Sequence, residues 1–453
     1  MKTTITLMDK TYHFKSLKEI MAKANEEKSG DQLAGIQAQD VQERIAARHV
    51  LSELTLADIR NNPLLPPEED EVSRVIEEGI NEKIYASIRN WSIAELREYL
   101  LSPIVTNNEI AHIRRGLTSE MIAAVTKIMT NLDLIQAASK ITVETRCNTK
   151  IGQKGRLAGR AQPNHPNDHL QGIKAAIFEA LSYGVGDAVI GINPVIDTVD
   201  SVKAILNMTK DLMDRWDIPT QNCVLAHVTT QMRAIKQGGK ADLLFQSLAG
   251  TELGNKAFGI NVELLDEANE LILKEGTAAG PNVWYFETGQ GSELSANAHH
   301  GIDQLTLEAR CYGLAKRYKP FIVNTVVGFI GPEYLYNSKQ VIRAGLEDHF
   351  MGKLHGLPMG VDVCYTNHMK ADQNDMENLA VLLASAGANF LIGVAMADDC
   401  MLNYQSLSFH DIATLRELLH LRPAPEFERW LEKKGIMENG KLTSIAGDPT
   451  LFL

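Results

Sequence analysis

The sequence predicts an α/β fold, a (β/α)8 TIM barrel with an N-terminal, mainly helical extension. From about residue 150 onward, eight short apolar runs alternate with amphipathic segments. The preceding part of the chain carries helix-start signals and almost no strand pattern. The length of 453 residues suits a barrel with a sizeable extension better than one minimal domain. We therefore assign residues 1–145 to the extension and 146–453 to the barrel.

The extension is expected to open with a hairpin and to continue as helices. Strands at 3–7 and 11–14 flank a turn at 8–10. Capping boxes at 16–19 and 92–95 each place a glutamate three residues after a serine. They mark helix starts because the hydroxyl and the carboxylate satisfy each other's backbone amides. We expect this region to serve structure or subunit contact rather than chemistry.

The eight apolar runs are the candidate barrel strands. They span residues 156–161, 188–192, 223–228, 243–245, 283–286, 321–327, 357–363 and 390–394. Near-continuous apolar strands are typical of parallel sheets that are buried on both faces. The intervening segments have helical spacing, as in the i, i+3, i+4, i+7 stripe from Leu379 to Ala386, which stops at Gly387. Eight such alternations favour a closed barrel over a doubly wound sheet.

Composition excludes several classes of protein. The formal net charge is −12 and the sequence has no basic cluster, so nucleic acid and anionic membranes are poor partners. The five cysteines are scattered without a C-x-x-C pair, which argues against a disulfide framework or a structural zinc site. No apolar run approaches the ~20 residues of a membrane span, and the N-terminus lacks a secretory pattern. We expect a cytoplasmic protein without a membrane partner.

Polar residues gather where the predicted strands end, which is where barrel enzymes build their active sites. In chain order they are Arg160, Gln162, Asn164, Asn193 with Pro194, His227, Thr229, Gln246 with Ser247, Glu287 with residues 288–292, Phe329, Asp362, Tyr365, and Asp398 with Asp399. Burying a polar group costs several kcal/mol unless it is paired or binds a polar ligand. This end of the barrel is therefore the candidate site.

Two of these residues, Glu287 and Asp362, are carboxylates that end the fifth and seventh strands. Two anions beside one pocket repel each other unless a cation lies between them. Arg160 could be that cation, in a purely structural cluster. Alternatively, the carboxylates bind a ligand ammonium group, while Arg160 with the amides of Gln162 and Asn193 binds a hydroxyl on the adjacent carbon.

Other chemistries leave weaker signals. No lysine ends a predicted strand, which argues against a Schiff-base mechanism. A metal-dependent TIM-barrel hydrolase would use His227, Glu287 and Asp362 and stays open as the alternative, although no metal site is assigned. A non-catalytic scaffold is a third hypothesis. The segment 347–352 nearly matches D-x-H-x-x-G, a cobalamin-binding pattern, but a structural helix end explains it better because glutamate holds its first position.

Long segments, most of them at the ends of predicted strands, resemble one enzyme family. They span residues 159–164, 185–194, 224–231, 285–292, 321–336, 345–354, 364–368 and 425–431. They are similar to the large subunit of ethanolamine ammonia-lyases, and the similarity runs from about Tyr12 to the last residue. This resemblance implies adenosylcobalamin as cofactor and the radical deamination of ethanolamine to acetaldehyde and ammonia.

The resemblance also implies roles for single residues. Arg160 should contact the substrate hydroxyl, Gln162 the amino group, and Asn193 should join the polar contacts. Glu287 should bridge the hydroxyl and the ammonium, while Asp362 holds the ammonium. With Arg160, these two carboxylates are the residues to which the resemblance assigns catalysis. The expected cobalamin-contacting positions are Pro194, Gln246, Ser295 and Met401.

The family further implies a partner and an assembly. A smaller subunit should supply much of the cobalamin surface, and large–small pairs should self-associate into a higher multimer, often linked to a bacterial microcompartment. The sequence departs modestly from the family pattern. Ile392 stands where a methionine is familiar, and residues 363–364 replace a cysteine-richer stretch. These changes affect the shape of the pocket rather than the reaction.

Overall fold

The computed structural model describes residues 1–7, 9–328, 331 and 333–453. Met8, in the expected hairpin turn, and Phe329, expected after the sixth strand, lie outside the described residues. In the described part of the chain, no helix combines the length and the apolarity that crossing a membrane requires.

The core is a parallel barrel of eight strands, which confirms the predicted fold class. The strands are β1 (Ala158–Gln162), β2 (Val189–Ile192), β3 (Asn222–Val224), β4 (Leu244–Ser247), β5 (Trp284–Thr288), β6 (Ile322–Val326), β7 (Met359–Asp362) and β8 (Phe390–Val394). Their order is β3-β2-β1-β8-β7-β6-β5-β4. The ring closes where β1 pairs with β8, in a register that aligns Arg160 with Ile392.

Strands β3 and β4 stand at the two ends of this order, and the barrel is nearly closed between them by hydrogen bonds other than a backbone ladder. Among the described residues these two strands share no ladder pair, and one backbone bond joins Leu243 N–H to the Asn222 carbonyl. The Gln231 side chain bridges the rest. Its amide nitrogen donates to the carbonyls of Ala226 and Phe245, and its amide oxygen accepts from the Phe245 N–H at 3.0 Å. A side-chain amide thus replaces the missing ladder bonds.

The third predicted strand was too long. β3 ends at Val224, and a helix begins at Val228, inside the predicted run 223–228. His227 ends the strand because its ring caps the helix, with Nδ1 accepting from the Thr229 N–H at 3.3 Å. The Gln246 Oε1 atom accepts from the Val228 N–H at 3.1 Å, which satisfies another amide of the first helical turn.

Helices surround the barrel and connect its strands. Their bounds are Leu170–Ser182, Val199–Trp216, Val228–Lys236, Glu252–Ala257, Val262–Glu275, Ser292–Ser295, Gln304–Ala315, Ser338–His355, Gln373–Ser385, Phe409–Leu418 and Pro425–Lys433. After β8 the chain forms a short hairpin, Asp398–Asp399 with Tyr404–Gln405, and Leu407–Ser408 then pairs with β8. A hairpin of Met437–Glu438 with Lys441–Leu442 follows the last α-helix.

The N-terminal region is helical after one hairpin, as predicted. Thr4–Leu7 pairs with Lys10–His13. The helices that follow are Leu17–Ala24, Ser29–Leu33, Val41–Glu53, Leu56–Arg60, Glu71–Glu78, Glu82–Ile88, Ile93–Leu101, Asn107–Ile113, Ser119–Lys127 and Asn131–Lys140. The capping box at Ser92 and Glu95 forms. At Ser16 the hydroxyl caps the helix, but the Glu19 carboxylate accepts from the Lys15 N–H instead, one residue earlier than the box requires.

Buried ion pairs join these N-terminal helices to the barrel. Lys127 Nζ lies 2.6 Å from Asp303 Oδ1, and Arg310 Nη2 lies 2.8 Å from Asp70 Oδ2. Asp303 caps the helix after β5, and Arg310 lies within that helix. Because breaking a buried pair leaves an uncompensated charge, these contacts hold the two regions in one relative position.

Candidate active site

The predicted site residues converge at the C-terminal end of the barrel. Arg160 and Gln162 lie two residues apart on β1, so strand alternation points both side chains to the same face. Glu287 is the fourth residue of β5, and Asp362 is the last residue of β7. Parallel strands place these ends at one rim of the barrel.

Arg160 is the buried centre of the cluster. Its Nη1 donates to the Tyr285 hydroxyl at 2.5 Å, and its Nη2 donates to Asn193 Oδ1 at 3.0 Å. Nη1 also lies 3.8 Å from Glu287 Oε1. The guanidinium passes close to β2, since a Cβ at Gly191 would come within 2.9 Å of Nε. Only glycine leaves room there for the arginine.

Glu287 combines a buried environment with an accessible tip. Its Oε1 accepts from the Tyr285 hydroxyl at 3.3 Å and from Asn324 Nδ2 at 2.9 Å. About 18% of its side chain stays exposed. Burial raises the pKa of this carboxyl above its ordinary value, and the nearby Arg160 opposes the rise. Glu287 can therefore meet a ligand and exchange a proton more easily than a surface glutamate.

Asp362 is held by two hydroxyl groups. Tyr404 donates to its Oδ2 at 2.8 Å, and the Ser406 hydroxyl donates to its Oδ1 at 2.8 Å. Burial raises the pKa of Asp362 to about 6, although the hydrogen bonds from Ser406 and Tyr404 favour the charged form. A cationic ligand beside this carboxylate would favour its ionised form.

Gln162 is oriented by its neighbours. Its Nε2 donates to Asp399 Oδ2 at 2.7 Å and to the Tyr404 hydroxyl at 2.7 Å. Both amide hydrogens are thereby engaged, which leaves the amide oxygen to accept from a donor. Asp399 Oδ2 also accepts from Asn164 Nδ2 at 2.8 Å, and its Oδ1 accepts from the Met401 N–H at 3.0 Å.

The cluster has an excess of negative charge. Glu287 and Asp362 face one guanidinium, that of Arg160, and the pKa of each carboxyl responds to this cation. Within the described residues, no other lysine or arginine forms a hydrogen bond or ion pair with either carboxylate. A cationic ligand would relieve the excess, so the arrangement can bind one ammonium group.

The chain is similar to known proteins over its whole length. A family model described as ethanolamine ammonia lyase large subunit matches residues 12–445. The ethanolamine ammonia-lyase large subunit of Escherichia coli (strain K12) is 58% identical over 452 residues, covering 100% of both chains. That of Salmonella typhimurium is 57% identical with the same coverage. The chain belongs to the ethanolamine ammonia-lyase large-subunit family.

Membership of this family confirms the predicted enzyme class, a carbon–nitrogen lyase. The chain also aligns, more weakly, with some solved structures. Type I 3-dehydroquinate dehydratase from Clostridium difficile aligns with 62% of this chain and 99% of its own at 14% identity and a TM-score of 0.40. That likeness is too weak to inform the chemistry.

The four predicted cobalamin-contacting positions of this family member lie around the barrel mouth. Pro194 follows β2, Ser295 ends a short helix after β5, and Met401 lies in the hairpin after β8. Ser295 is exposed, while Pro194 and Met401 are half-buried. Gln246, on β4, differs from the others: it is buried, and its amide bonds the Val228 N–H and the Ser247 carbonyl.

The geometry does not favour the metal-hydrolase alternative. The His227 ring is engaged on both sides, with Nδ1 2.7 Å from Thr229 Oγ1 and Nε2 donating to the Phe258 carbonyl at 3.0 Å. In the part of the chain that the structure describes, no three His, Cys, Asp or Glu side chains are grouped to hold a metal ion. His227 thus serves as a helix cap rather than as a metal ligand.

Sequence reasoning missed four polar residues of the site. Tyr285 could have been found, since it lies two residues before Glu287 on the same strand face. Asn324 carried a signal too, as a polar residue inside an apolar run, and it pairs in register with Glu287. Tyr404 and Ser406 gave no local signal, because they reach Asp362 through the segment that returns to the barrel after β8.

Proposed function

We propose that the chain is the catalytic subunit of an adenosylcobalamin-dependent enzyme that deaminates ethanolamine to acetaldehyde and ammonia. One observation carries the proposal. Two carboxylates with raised pKa values share a pocket with a single buried guanidinium, so the pocket suits an ammonium beside a hydroxyl. The names of the full-length relatives support the same substrate.

The two ends of ethanolamine meet different groups in this proposal. Asp362 and the amide oxygen of Gln162 take the ammonium. Arg160 and Asn193, which already share a hydrogen bond of 3.0 Å, take the hydroxyl oxygen. Glu287 spans both, since it lies 3.8 Å from the guanidinium and keeps its tip exposed. The substrate is thereby oriented along one direction across the mouth.

The barrel rim fits a wide cofactor with an apolar face. Val195 and Ile196 are 46% and 52% exposed after β2, and Met396 is 83% exposed after β8. Pro194 and Met401 belong to the same two loop regions. An apolar rim around a polar pit suits such a ligand. When bound, adenosylcobalamin would supply a carbon radical that takes a hydrogen atom from the hydroxyl-bearing carbon of the substrate.

The protein residues would then stabilise charge as the amino group migrates or leaves. Arg160 holds the oxygen with a planar fork, and Asp362 holds the nitrogen. Glu287 can share a proton between them, and burial raises its pKa above the ordinary glutamate value, which favours proton uptake. These groups are held by neighbours before the substrate arrives, so little reorganisation is needed during the reaction.

The partners and location also follow the family. We propose a small subunit that completes the cofactor surface, and self-association of large–small pairs into a higher multimer. We propose a cytoplasmic location, with encapsulation in a bacterial microcompartment as the family often has it. The phrase "large subunit" in the names of the relatives supports the first of these points.

The decisive experiment is reconstitution. The chain is co-expressed with its candidate small subunit, adenosylcobalamin and ethanolamine are added, and acetaldehyde is measured. We expect acetaldehyde only when both subunits and the cofactor are present. A complete, cofactor-loaded complex that forms no acetaldehyde would overturn the proposal, whereas inactivity of the large subunit alone is the expected control result.

A further inference from the structure

A polar cavity lies at the opposite end of the barrel from the candidate active site. It has a volume of about 460 Å³. Its walls include the turn Arg114–Gly116 from the N-terminal region and the turn Lys316–Tyr318, which leads into β6. Residues 356–358, immediately before β7, complete the wall. The cavity therefore lies between the extension and the N-terminal end of the barrel.

Four cationic side chains line this cavity, which we call the basic cavity. They are Arg114, Arg115, Lys316 and Lys319. In the described structure, none of the four side chains forms a hydrogen bond or an ion pair. The single carboxylate lining the cavity, Glu144, pairs with Lys150. Such a concentration of unpaired cations is unexpected in a chain whose formal net charge is −12.

Arg114 is one of the two partly buried cations of this set; the other is Lys316. The Arg114 Nη1 atom is buried without a hydrogen-bond partner. The guanidinium packs against the backbone of Gly356, where a Cβ would come within 2.8 Å of the Arg114 Cζ. Burial lowers the pKa of Arg114, with no carboxylate opposing the effect. A buried donor without an acceptor is costly, which indicates a missing partner.

Lys316 adds a second partly buried charge. Burial lowers its pKa, and the positive charges of Arg114 and Arg115 lower it further. The neighbouring His355 does not act as a counterion. Its Nδ1 donates to the Met351 carbonyl at 2.7 Å, its Nε2 contacts Ser119 Oγ at 3.0 Å, and its pKa is lowered to about 3 by burial. Because His355 is neutral, it neither adds to nor offsets the repulsion among the four cations.

We propose that the basic cavity binds a small phosphate-class anion that links the N-terminal extension to the barrel. Arginine guanidinium groups present parallel N–H donors that match two phosphate oxygens, and lysine adds a point charge. Arg114 and Arg115 contribute from the extension, while Lys316 and Lys319 contribute from the barrel side. The volume accommodates inorganic phosphate, pyrophosphate or the phosphate end of a larger ester.

Thermal unfolding of the assembled large–small complex tests this proposal. Inorganic phosphate and pyrophosphate are titrated against sodium chloride at equal ionic strength. We expect the unfolding midpoint to rise with phosphate but not with chloride, because a ligand that binds the folded state stabilises it. Calorimetric titration of the same anions gives the affinity directly.

Two variants locate the effect. Arg114→Gln and Lys316→Gln should each weaken phosphate binding by about tenfold or more, the loss expected for a charge-assisted hydrogen bond. Without phosphate, Arg114→Gln should unfold at the same or a higher temperature, since it removes a repelled charge. Arg317→Gln is the matched control: Arg317 pairs with Asp266 and does not line the basic cavity.

Three outcomes would overturn the proposal. The first is a wild-type complex that binds no phosphate. The second is phosphate binding that survives in both variants, which would place the anion elsewhere. The third is dissociation of the assembly by Arg114→Gln in sedimentation, independent of phosphate, which would show that a carboxylate of a neighbouring subunit occupies the basic cavity. Acetaldehyde formation by the variants reports that the distant active site is intact.

Discussion

Tyr404 donates a hydrogen bond of 2.8 Å to Asp362 Oδ2 and accepts one of 2.7 Å from Gln162. One phenol thus orients both residues that are proposed to hold the substrate ammonium. Gln162 is also tied to Asp399, whose other oxygen accepts from the backbone of Met401 in the rim hairpin. Hydrogen bonds therefore connect the proposed ammonium-binding residues to the rim hairpin that faces the proposed cofactor.

Tyr404→Phe should lower kcat/KM by about tenfold, the value of one buried hydrogen bond. It should also raise the pKa of Asp362, because the hydroxyl now stabilises the charged carboxylate. The pH profile of the complete complex measures both effects. Tyr99→Phe, in the N-terminal region, is the control. A profile that keeps its wild-type position would remove Tyr404 from the orientation of Asp362.

The acid limb of the pH profile should report Asp362. Its pKa is about 6 in the free protein because burial disfavours the charge. Below that pH the carboxyl is protonated and no longer attracts an ammonium, so kcat/KM should fall about tenfold per pH unit. Steady-state kinetics between pH 5 and 8 check this, and Asp362→Asn should flatten the limb. A profile that is level across pH 6 would contradict the assignment.

Glu287→Gln should lower turnover by at least about a hundredfold while the complex stays folded. The amide keeps the shape of the side chain but loses both the charge and the ability to move a proton. Acetaldehyde formation gives the turnover, and circular dichroism reports the fold. Glu270→Gln, at an exposed helical position, should be fully active. Near-normal turnover of Glu287→Gln would exclude a role in proton sharing.

Arg160→Lys should lower kcat/KM by about a hundredfold, although the positive charge is kept. The guanidinium reaches the Tyr285 hydroxyl and Asn193 with two different nitrogens, which a single ammonium cannot do. Steady-state kinetics measure the loss, with Arg233→Lys on an exposed helix face as control. Unchanged kinetics would refute the need for a planar fork.

Lys28→Met should lower the free energy of unfolding by about 3–5 kcal/mol, because it breaks a fully buried pair. Lys28 Nζ lies 2.8 Å from Glu347 Oε2, and Arg343 holds the other oxygen. Chemical denaturation measures the loss, with the exposed Lys83→Met as control. An unfolding free energy equal to that of wild type would show that the pair does not secure the extension.

The same pair has a pH signature. Burial alone would raise the pKa of Glu347, but Lys28 and Arg343 lower it to about 2. Its contribution to stability is therefore complete above the ordinary glutamate value and is lost as the pH falls toward 2.

The pair also gives a physical reason for the segment 347–352. The segment lies buried in the last part of the helix Ser338–His355, and its Glu347 holds the extension to that helix. This agrees with the interpretation of the segment as a structural helix end.

Much of the fold could be predicted because its signals are local. Each apolar run marked a barrel strand, and β8 has the predicted limits, Phe390–Val394. The error at β3 arose because Val224 to Val228 is apolar except for His227, so hydrophobicity alone could not show where the strand stops. The caps provided by His227 and Gln246 end it, and the second of these comes from another strand.

The sequence by itself determined which polar residues lie where the barrel strands end, because the end of an apolar run is a property of neighbouring residues. It therefore brought out Arg160, Glu287 and Asp362. Only the tertiary structure decided what surrounds them, since Tyr404 reaches Asp362 after the chain has closed the barrel and turned back. The basic cavity has the same origin. Arg114 and Lys316 are distant in the sequence, and their charges meet only when the extension packs against the barrel.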